Sequence, residues 1–386
     1  MNKLRDLYCA RPYHELNIHQ DGYFRPCNEM FPYHSGINIL DATLDDFRHS
    51  AWLAQLKYDQ ASGRVRQECL DCVSRDEESD KAGRKHPMAS RPLGGLARLS
   101  IWLGNLCNSE CSMCTGFWSN KVEARLKNMP LVGIDIRDDH WLDNSKIPAI
   151  KGGHAEWWKD PVGRSRLLEL AKQTEEIRLL GGEPFLLKGI WEIVDVIYEA
   201  NPNVFLAINT NGSVVNDAHI KSLSRFPNAA IQLSIDGVGK TYEWIRHGLD
   251  WNTLNSNISK LKSITPKVKL VASLSAHNFM DIENLDAYAD EIGLDISWFT
   301  VTRPWIVDIC NLPESLLRER SKMLKTRIND YDDGTRKIRA LMQFLTVERA
   351  LTRLDKANTA QLIAYTERVN SFRSKKFCTD TWKVID

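Results

Sequence analysis

Between residues 96 and 300, six short apolar segments alternate with stretches of helical periodicity, and this alternation limits the possible folds more than any other feature. Apolar residues in 188–200 and 251–264 recur at helical spacing. Short apolar strands separated by helices predict a parallel sheet of βα units. Six units are too few for a closed eight-stranded barrel, so we expect a partial (βα)6 barrel that binds ligands at the carboxyl ends of its strands. The predicted strands are 97–103, 176–180, 204–209, 230–235, 268–275 and 295–300.

The segments on either side of the predicted barrel differ from it in pattern. Asp21-Gly22 lies between two strand-like pieces and predicts a hairpin, and a helical pattern follows over 44–56. We therefore expect an α/β protein with a small cysteine-rich hairpin-plus-helix module before the barrel and a helical extension after it. The predicted domains are the N-terminal module at 1–76, a charged, proline- and glycine-punctuated linker at 77–95, the partial barrel at 96–312 and the helical C-terminal region at 313–386.

Charge and hydropathy exclude several classes of protein. The 386 residues include 51 Lys and Arg against 50 Asp and Glu, and a net charge of +1 argues against a strongly basic nucleic-acid platform. No apolar run reaches the ~20 residues that a membrane span needs. The N-terminal residues lack the continuous apolar region of a secretory signal. We expect a cytoplasmic protein without a membrane partner or a specific nucleic-acid partner.

Seven of the nine cysteines fall into two groups, and the tighter group directly follows the first predicted strand. Cys107, Cys111 and Cys114 form a C-x3-C-x2-C run. In a reducing compartment, clustered cysteines indicate metal or redox chemistry more often than disulfides. Three thiolates suit three irons of a [4Fe–4S] cluster and leave the fourth iron without a protein ligand, whereas zinc normally takes a fourth Cys or His close by.

Four further segments follow at successive strand ends, and together with the cysteine run they resemble the radical SAM superfamily over residues 96–301. Arg246 lies twelve positions after Ser234, where many members of the family carry an arginine. Each motif alone is weak, but their order along the predicted strands is specific. The segments are Gly181-Gly182-Glu183-Pro184, Asn209-Thr210-Asn211-Gly212, Ser234-Ile235-Asp236-Gly237 and the arginine at 246.

The resemblance implies that a [4Fe–4S] cluster and S-adenosylmethionine bind at this edge, and that reductive cleavage yields a 5′-deoxyadenosyl radical that abstracts hydrogen from a substrate. It implies that Glu183 orients the methionyl amino group and that Arg246 binds a carboxylate. Met113 stands where the family usually has an aromatic residue against adenine. The implied cofactor-binding residues are Gly181, Gly182, Glu183, Pro184, Asn209, Ser234, Arg246, Ser273 and Met113.

The second group of cysteines lies before the linker, and its spacing is similar to the opening of the twitch/SPASM modules of radical SAM enzymes. Here the module precedes the barrel, whereas in most members it follows. The resemblance implies one auxiliary [4Fe–4S] cluster, and four protein thiolates favour electron transfer over substrate binding. A zinc-bound hairpin is the alternative. The ligands expected in either case are Cys9, Cys27, Cys69 and Cys72.

The remaining candidates are more often structural than functional. His154, His247 and His277 lie near strand ends or in a tryptophan-rich insertion at 115–165, and Asp236 either binds a substrate or caps a turn. Cys310 and Cys378 stand alone and are expected to be structural.

The leading hypothesis is a radical SAM enzyme acting on an unidentified peptide, protein or sugar-like substrate, with a flavodoxin or ferredoxin as external electron donor. The alternatives are a non-catalytic zinc protein and a radical SAM methyltransferase.

Overall fold

The computed structural model describes residues 9–30, 33–69, 72, 95–129, 131–134, 156–331, 334–354 and 357–382. In this part of the chain, one eight-stranded sheet has the order β2-β1-β3-β4-β5-β6-β7-β8, so β2 and β8 are its two ends. Strands β3 to β8 are parallel. The strands are β1 (Glu15–His19), β2 (Phe24–Arg25), β3 (Leu96–Trp102), β4 (Thr174–Leu180), β5 (Phe205–Thr210), β6 (Ala229–Ser234), β7 (Val268–Leu274) and β8 (Ile296–Thr300).

The six predicted βα units are confirmed, and every predicted strand overlaps its observed strand with ends that differ by at most two residues. Alternate strand residues such as Leu99, Ile101 and Leu179 are fully buried in the main apolar core. Residues on the opposite face, among them Asn209 and Ser234, line a cavity instead. Because side chains alternate between the two faces of a strand, one face builds the core and the other builds the interior of the partial barrel.

The helices surround this sheet and include a C-terminal group of three. Those three helices pack on a second apolar cluster that contains Leu317, Val347 and Leu362. The helices are α1 (Arg11–His14), α2 (Leu44–Arg48), α3 (Ala51–Ala61), α4 (Asn120–Asn128), α5 (Pro161–Lys172), α6 (Lys188–Ala200), α7 (Asp217–Leu223), α8 (Lys240–Ile245), α9 (Trp251–Ile264), α10 (Ile282–Glu291), α11 (Glu314–Asp330), α12 (Gly334–Thr352) and α13 (Ala357–Ser371).

The predicted N-terminal hairpin is present, but it is an edge of the barrel sheet rather than a separate sheet. Strand β1 pairs with β2 in the antiparallel sense and with β3 in the parallel sense. Gly22 adopts a φ of 75° in the turn, a conformation that glycine reaches without steric cost. All five residues of β1 are buried, and Leu16 and Ile18 join the main core. Pairing with β3 satisfies backbone groups that an isolated two-stranded hairpin would leave exposed.

The helical pattern over 44–56 is divided into α2 and α3. Ser50 has an extended backbone, and its hydroxyl accepts a hydrogen bond from the Leu53 N–H, so a new helix begins there.

The predicted linker lies outside the described residues except for Gly95, as do His154 and Trp141. Among the described residues, no helix combines the length and the apolar character needed to cross a membrane.

Candidate active site

A cavity of about 340 Å³ opens at the carboxyl ends of the parallel strands. It brings together residues from six positions along the chain, as expected for strands whose ends meet at one edge of a sheet. The predicted residues that line it are Cys107, Cys111, Cys114, Gly181, Gly182, Glu183, Asn209, Ser234, Arg246 and Ser273.

The three-cysteine loop, residues 107–114, forms one wall of this cavity. Ser109 Oγ lies 3.2 Å from Cys107 Sγ and 3.4 Å from Cys111 Sγ. Burial raises the pKa of Cys114, and the neighbouring Cys111 and Cys107 raise it further. The three thiols therefore lie close together, Cys107 and Cys111 are buried and Cys114 is partly buried, and as thiolates they would be stabilised by a metal charge beside them. This donor set fits the thiolate ligation of an iron–sulfur cluster that keeps one iron open.

The Gly181-Gly182-Glu183 segment packs directly against the backbone that leads into the three-cysteine loop. The Gly182 N–H donates to the Gly104 carbonyl at 3.1 Å, and the Glu183 N–H donates to the Leu106 carbonyl at 2.8 Å. A Cβ atom on Gly182 would lie 2.3 Å from the Leu106 carbonyl oxygen. Glycine is thus required here by the close approach of two backbone segments.

The opposite side of the three-cysteine loop is bonded to the segment after α8. The Glu110 N–H donates to the His247 carbonyl at 2.7 Å, and the Ser112 N–H donates to the Ile245 carbonyl at 2.8 Å. The buried Arg373 donates to the Glu110 carbonyl and, at 2.6 Å, to the Trp244 carbonyl. The C-terminal region, which carries no chemical motif, therefore supports the loop.

Glu183 is 1% exposed, and its carboxylate accepts three hydrogen bonds from the chain. Thr210 Oγ1 donates to Oε1 at 2.6 Å, the Phe185 N–H donates to the same oxygen at 3.0 Å, and the Asn211 N–H donates to Oε2 at 2.7 Å. Burial raises the pKa of Glu183, and the bonds from Thr210, Asn211 and Phe185 oppose this rise. The carboxylate is fixed at the cavity wall, and Oε2 keeps capacity for a further donor.

Arg246 and Asp236 form an ion pair beneath the cavity. Arg246 Nη2 lies 2.6 Å from Asp236 Oδ2, and the Ser273 N–H donates to Asp236 Oδ1 at 2.6 Å. Arg246 Nη1 also lies 4.0 Å from Cys111 Sγ. Asp236, for which sequence analysis left two roles open, is fully buried and joins Arg246 to the end of β7.

Two predicted cofactor-binding residues do not line the described cavity. Met113 is partly buried against an apolar cluster that includes Trp244 and Tyr365. Pro184 is buried at the start of a short 3-10 turn, Pro184–Leu186. The structure therefore does not bring these two side chains together with the other predicted residues.

Trp102 and Trp118 form an aromatic wall of the same cavity that was not predicted from the sequence. Their ring centroids are 4.2 Å apart, and His19 stacks on Trp102 at 5.7 Å with an interplanar angle of 19°. Trp102 Nε1 donates to Asn28 Oδ1 at 3.2 Å. Trp102 is the last residue of β3, and its place at a strand end was the available signal. The other lining residues that were missed are Ser109, Ser119, Leu180, Thr210 and Asn211.

The four N-terminal cysteines meet around a separate, smaller cavity of about 30 Å³. We call it the four-cysteine pocket; Cys9, Cys27, Cys69 and Cys72 all line it. Burial raises the pKa of Cys9 to about 11. Arg11, Arg64 and Arg66 also line the pocket and supply positive charge near the sulfur atoms. The donor set suits a metal held by thiolates.

The remaining candidates lie outside both cavities. His277 Nδ1 lies 3.2 Å from Ser112 Oγ, and its Nε2 lies 3.0 Å from Thr366 Oγ1, so the ring links the three-cysteine loop to α13. Burial, and then the charges of Arg373 and Arg125, lower the pKa of His277 to about 3. His247 contributes its carbonyl to the loop. Cys310 is buried and Cys378 is exposed, and neither lines a cavity described here.

Comparison with known proteins gives the family. The model of the radical SAM superfamily matches residues 103–285, which include the three-cysteine loop and four of the six barrel strands, β4 to β7. These residues form a radical SAM domain. The domain belongs to a family of enzymes that use S-adenosylmethionine and a [4Fe–4S] cluster.

Two curated proteins are similar to parts of the chain that carries this radical SAM domain. GTP 3′,8-cyclase of Synechocystis sp. is 25% identical over 210 residues, which cover 54% of this chain and 55% of the cyclase. Sporulation killing factor maturation protein SkfB of Bacillus subtilis is 38% identical over 73 residues, 18% of this chain and 17% of SkfB. The chain thus spans about half the length of the first relative and about a sixth of the second.

Among solved structures, Streptococcus suis SuiB bound to precursor peptide SuiA has 12% sequence identity and a TM-score of 0.40 to this chain. The similarity covers 81% of this chain and 69% of SuiB.

Proposed function

We propose that this chain is a radical SAM enzyme that binds a [4Fe–4S] cluster through Cys107, Cys111 and Cys114. The observation that carries the proposal is the meeting of these cysteines with Gly182 and Glu183 at one cavity of about 340 Å³. When bound there, the cluster would supply the electron that cleaves S-adenosylmethionine, giving a 5′-deoxyadenosyl radical for hydrogen abstraction.

The protein's own contribution is to bind and orient the nucleoside and the amino-acid part of S-adenosylmethionine. Glu183 would accept a hydrogen bond from the methionyl amino group, because its oxygens are already fixed by the chain. Asn209 Oδ1 is buried without a hydrogen-bond partner among the described residues and would accept one from the ribose. Ser234 and Ser273 would contact the sugar and the base. Trp102 and Trp118 would shape the space for the substrate.

We infer that the four-cysteine pocket holds an auxiliary [4Fe–4S] cluster that transfers electrons. Its four sulfur ligands surround a space roughly a tenth of the main cavity. Four thiolates would complete the coordination of such a cluster, so no iron would stay open for a substrate. Zinc in the same pocket is the second candidate, because four thiolates also suit a tetrahedral ion.

The substrate class stays open between a peptide or protein side chain and a sugar-like small molecule. The names of the two curated relatives describe different activities, a GTP cyclase and a maturation protein. They therefore favour neither substrate class over the other. Radical SAM chemistry needs one electron for each cleavage, and we expect a flavodoxin or ferredoxin to supply it. We expect the enzyme to act in the cytoplasm.

The first test is the content of iron, sulfide and zinc in protein purified without oxygen, together with the formation of 5′-deoxyadenosine. About eight irons and eight sulfides per chain would support two [4Fe–4S] clusters. Replacing Cys107, Cys111 and Cys114 with alanine should remove about half of the iron and all cleavage. Cys310→Ala, a buried cysteine outside both cavities, is the matched control. Zinc alone, with no iron after reconstitution, would contradict the enzyme proposal.

A further inference from the structure

Arg125 is a buried cation immediately behind the three-cysteine loop. It lies in α4, and its side chain is 1% exposed. None of its three guanidinium nitrogens has a hydrogen-bond partner among the described residues. The Glu110 carboxylate lies 3.5 Å away. A buried charge that is so poorly paired costs free energy of folding.

A second buried cation shares the same carboxylate. Arg373 lies 3.8 Å from Glu110 Oε1, and its side chain is fully buried. Among the described residues, two guanidinium groups share one carboxylate, so one positive charge behind the loop has no carboxylate of its own there. Arg246, by contrast, has its own carboxylate in Asp236. His277 does not add to the charge, because burial keeps it neutral at physiological pH.

The apolar surroundings of these two arginines strengthen the electrostatic effect of their charge. An apolar cluster that includes Met113, Trp244 and Tyr365 packs behind the three-cysteine loop. Opposite charges attract more strongly where water is excluded than at an exposed surface. Arg125 Nη1 lies 3.5 Å from the carboxylate of Glu110, the residue that directly precedes Cys111 in the loop. The cation is therefore close enough to act on whatever the three cysteines hold.

We propose that Arg125, together with Arg373, raises the reduction potential of the [4Fe–4S] cluster held by the three-cysteine loop. The inference rests on the proposed function, since it requires that cluster. The cluster gains one electron and one negative charge on reduction, and an uncompensated buried cation stabilises the more negative state. Net charge around a cluster is one of the factors that set its potential. Arg125 would act on the cluster through its charge and would not contact the substrate.

The test is a redox titration of the full chain with dithionite as electron source, followed by electron paramagnetic resonance. The relevant signal is the one that changes on addition of S-adenosylmethionine and is lost when the three cysteines are replaced. Arg125→Gln should shift its midpoint to a more negative potential. A tenfold change in the reduction equilibrium corresponds to a shift of about 59 mV for one electron. Arg125→Lys should keep most of the wild-type potential.

Two further variants separate charge from structure. Lys127→Gln removes an exposed cation from the same helix, and the midpoint should stay at the wild-type value. Glu110→Gln removes the shared carboxylate, and the midpoint should become more positive. This opposite sign is not expected from simple loosening of the loop.

The outcomes distinguish the inference from the function on which it rests. Absence of iron from the three-cysteine loop of the wild-type protein would overturn the proposed function. An Arg125→Gln protein with wild-type iron content and an unchanged midpoint would overturn the inference alone. If Arg125→Gln does not retain iron, Glu110→Gln decides, and an unchanged or more negative midpoint in that variant overturns the inference.

Discussion

The two cysteine sites differ in the space beside their sulfur atoms. The three-cysteine loop lines a cavity of about 340 Å³ that also presents a carboxylate, two asparagine amides and four serines. The four-cysteine pocket encloses about 30 Å³ and has mostly arginine and apolar side chains around it. One site can hold a metal group and a second molecule beside it, whereas the other has room for little beyond a metal group. Ligand count and cavity size are the grounds on which we propose different roles for two sites built from the same residue type.

The two sites also differ in what holds them in place. The three-cysteine loop is bonded to the Gly182 segment, to the residues after α8 and to Arg373. The four cysteines of the other pocket come from three stretches of the chain: before the hairpin, directly after it and after α3. Damage to one bonded neighbour should therefore disturb the loop through its geometry. The other site depends mainly on its own ligands.

The largest predicted contrast comes from removing one cysteine at each site. Cys111→Ala should reduce S-adenosylmethionine cleavage to background, because the main cluster would lose one of its three thiolates. Cys69→Ala should remove the iron of the four-cysteine pocket but leave S-adenosylmethionine cleavage unchanged. The auxiliary cluster is proposed to act only after that cleavage. Iron content and 5′-deoxyadenosine formation measure both effects. Full substrate turnover by Cys69→Ala would count against electron transfer by the auxiliary cluster.

The second prediction addresses the backbone contact that supports the three-cysteine loop. Gly182→Ala places a methyl group 2.3 Å from the Leu106 carbonyl oxygen, and backbone cannot move aside as a flexible side chain can. We expect the free energy of unfolding to fall by about 3 kcal/mol, the upper part of the range for overpacking. Iron should be lost from the three-cysteine loop and retained in the four-cysteine pocket.

The control for this substitution is Gly95→Ala. A Cβ atom at Gly95 would meet nothing within 4 Å, so iron content and stability should stay near those of the wild type. Equal behaviour of the two alanine variants would show that the close approach at Gly182 does not support the loop.

The third prediction concerns His277, which links the loop to α13. Its pKa of about 3 in the folded chain lies below the ordinary value of 6.5, so the unfolded chain binds more protons between these two values. Stability should therefore fall as the pH decreases below 6.5, and the loss should level off near pH 3. Between pH 7 and pH 5 the loss from this group is about 2 kcal/mol.

Urea unfolding at pH 7.5 and pH 5 measures this dependence. His277→Asn should be less stable at pH 7.5 and should lose less stability between the two pH values than the wild type. His49→Asn, at an exposed histidine, is the control. The same pH slope in wild type and His277→Asn would contradict the prediction.

The site residues that could be predicted from the sequence belong to short motifs that directly follow predicted strands. Cys107 and Glu183 follow predicted strands within a recognisable run, and their meeting at one cavity follows from parallel strands. The position of β1 was not predictable in this way. The sequence of a five-residue strand does not indicate which strand it pairs with. The pairing of β1 with β3 depends on contacts between residues more than seventy positions apart.

The supports of the site were the least predictable part. Arg125, His277 and Arg373 lie in segments without motifs, and their side chains act through the three-cysteine loop rather than through the cavity. Whether a charged residue is buried depends on tertiary packing. Helical periodicity predicts only which face of a helix is apolar, so it could not indicate these residues. Arg373 lies two residues after the end of α13, where the sequence indicates only the end of a helix.

The smallest predicted effect tests a hydrogen bond between the two cysteine sites. Trp102 lines the main cavity, and its Nε1 donates to Asn28, the residue after Cys27. Trp102→Phe keeps an aromatic face and removes this hydrogen bond, which is worth about 0.5–1.5 kcal/mol. Trp191→Phe is the control, since Trp191 Nε1 has no hydrogen-bond partner among the described residues.

We expect Trp102→Phe to lower the free energy of unfolding by about 1 kcal/mol more than Trp191→Phe does. It should also release iron from the four-cysteine pocket faster in the presence of a chelator, because Asn28 would lose its anchor beside Cys27. S-adenosylmethionine cleavage should persist, because none of the three cysteines that would hold the main cluster has changed. If a chelator removes iron from both tryptophan variants at the wild-type rate, Trp102 does not couple the two sites, and the stability of each site is independent of this hydrogen bond.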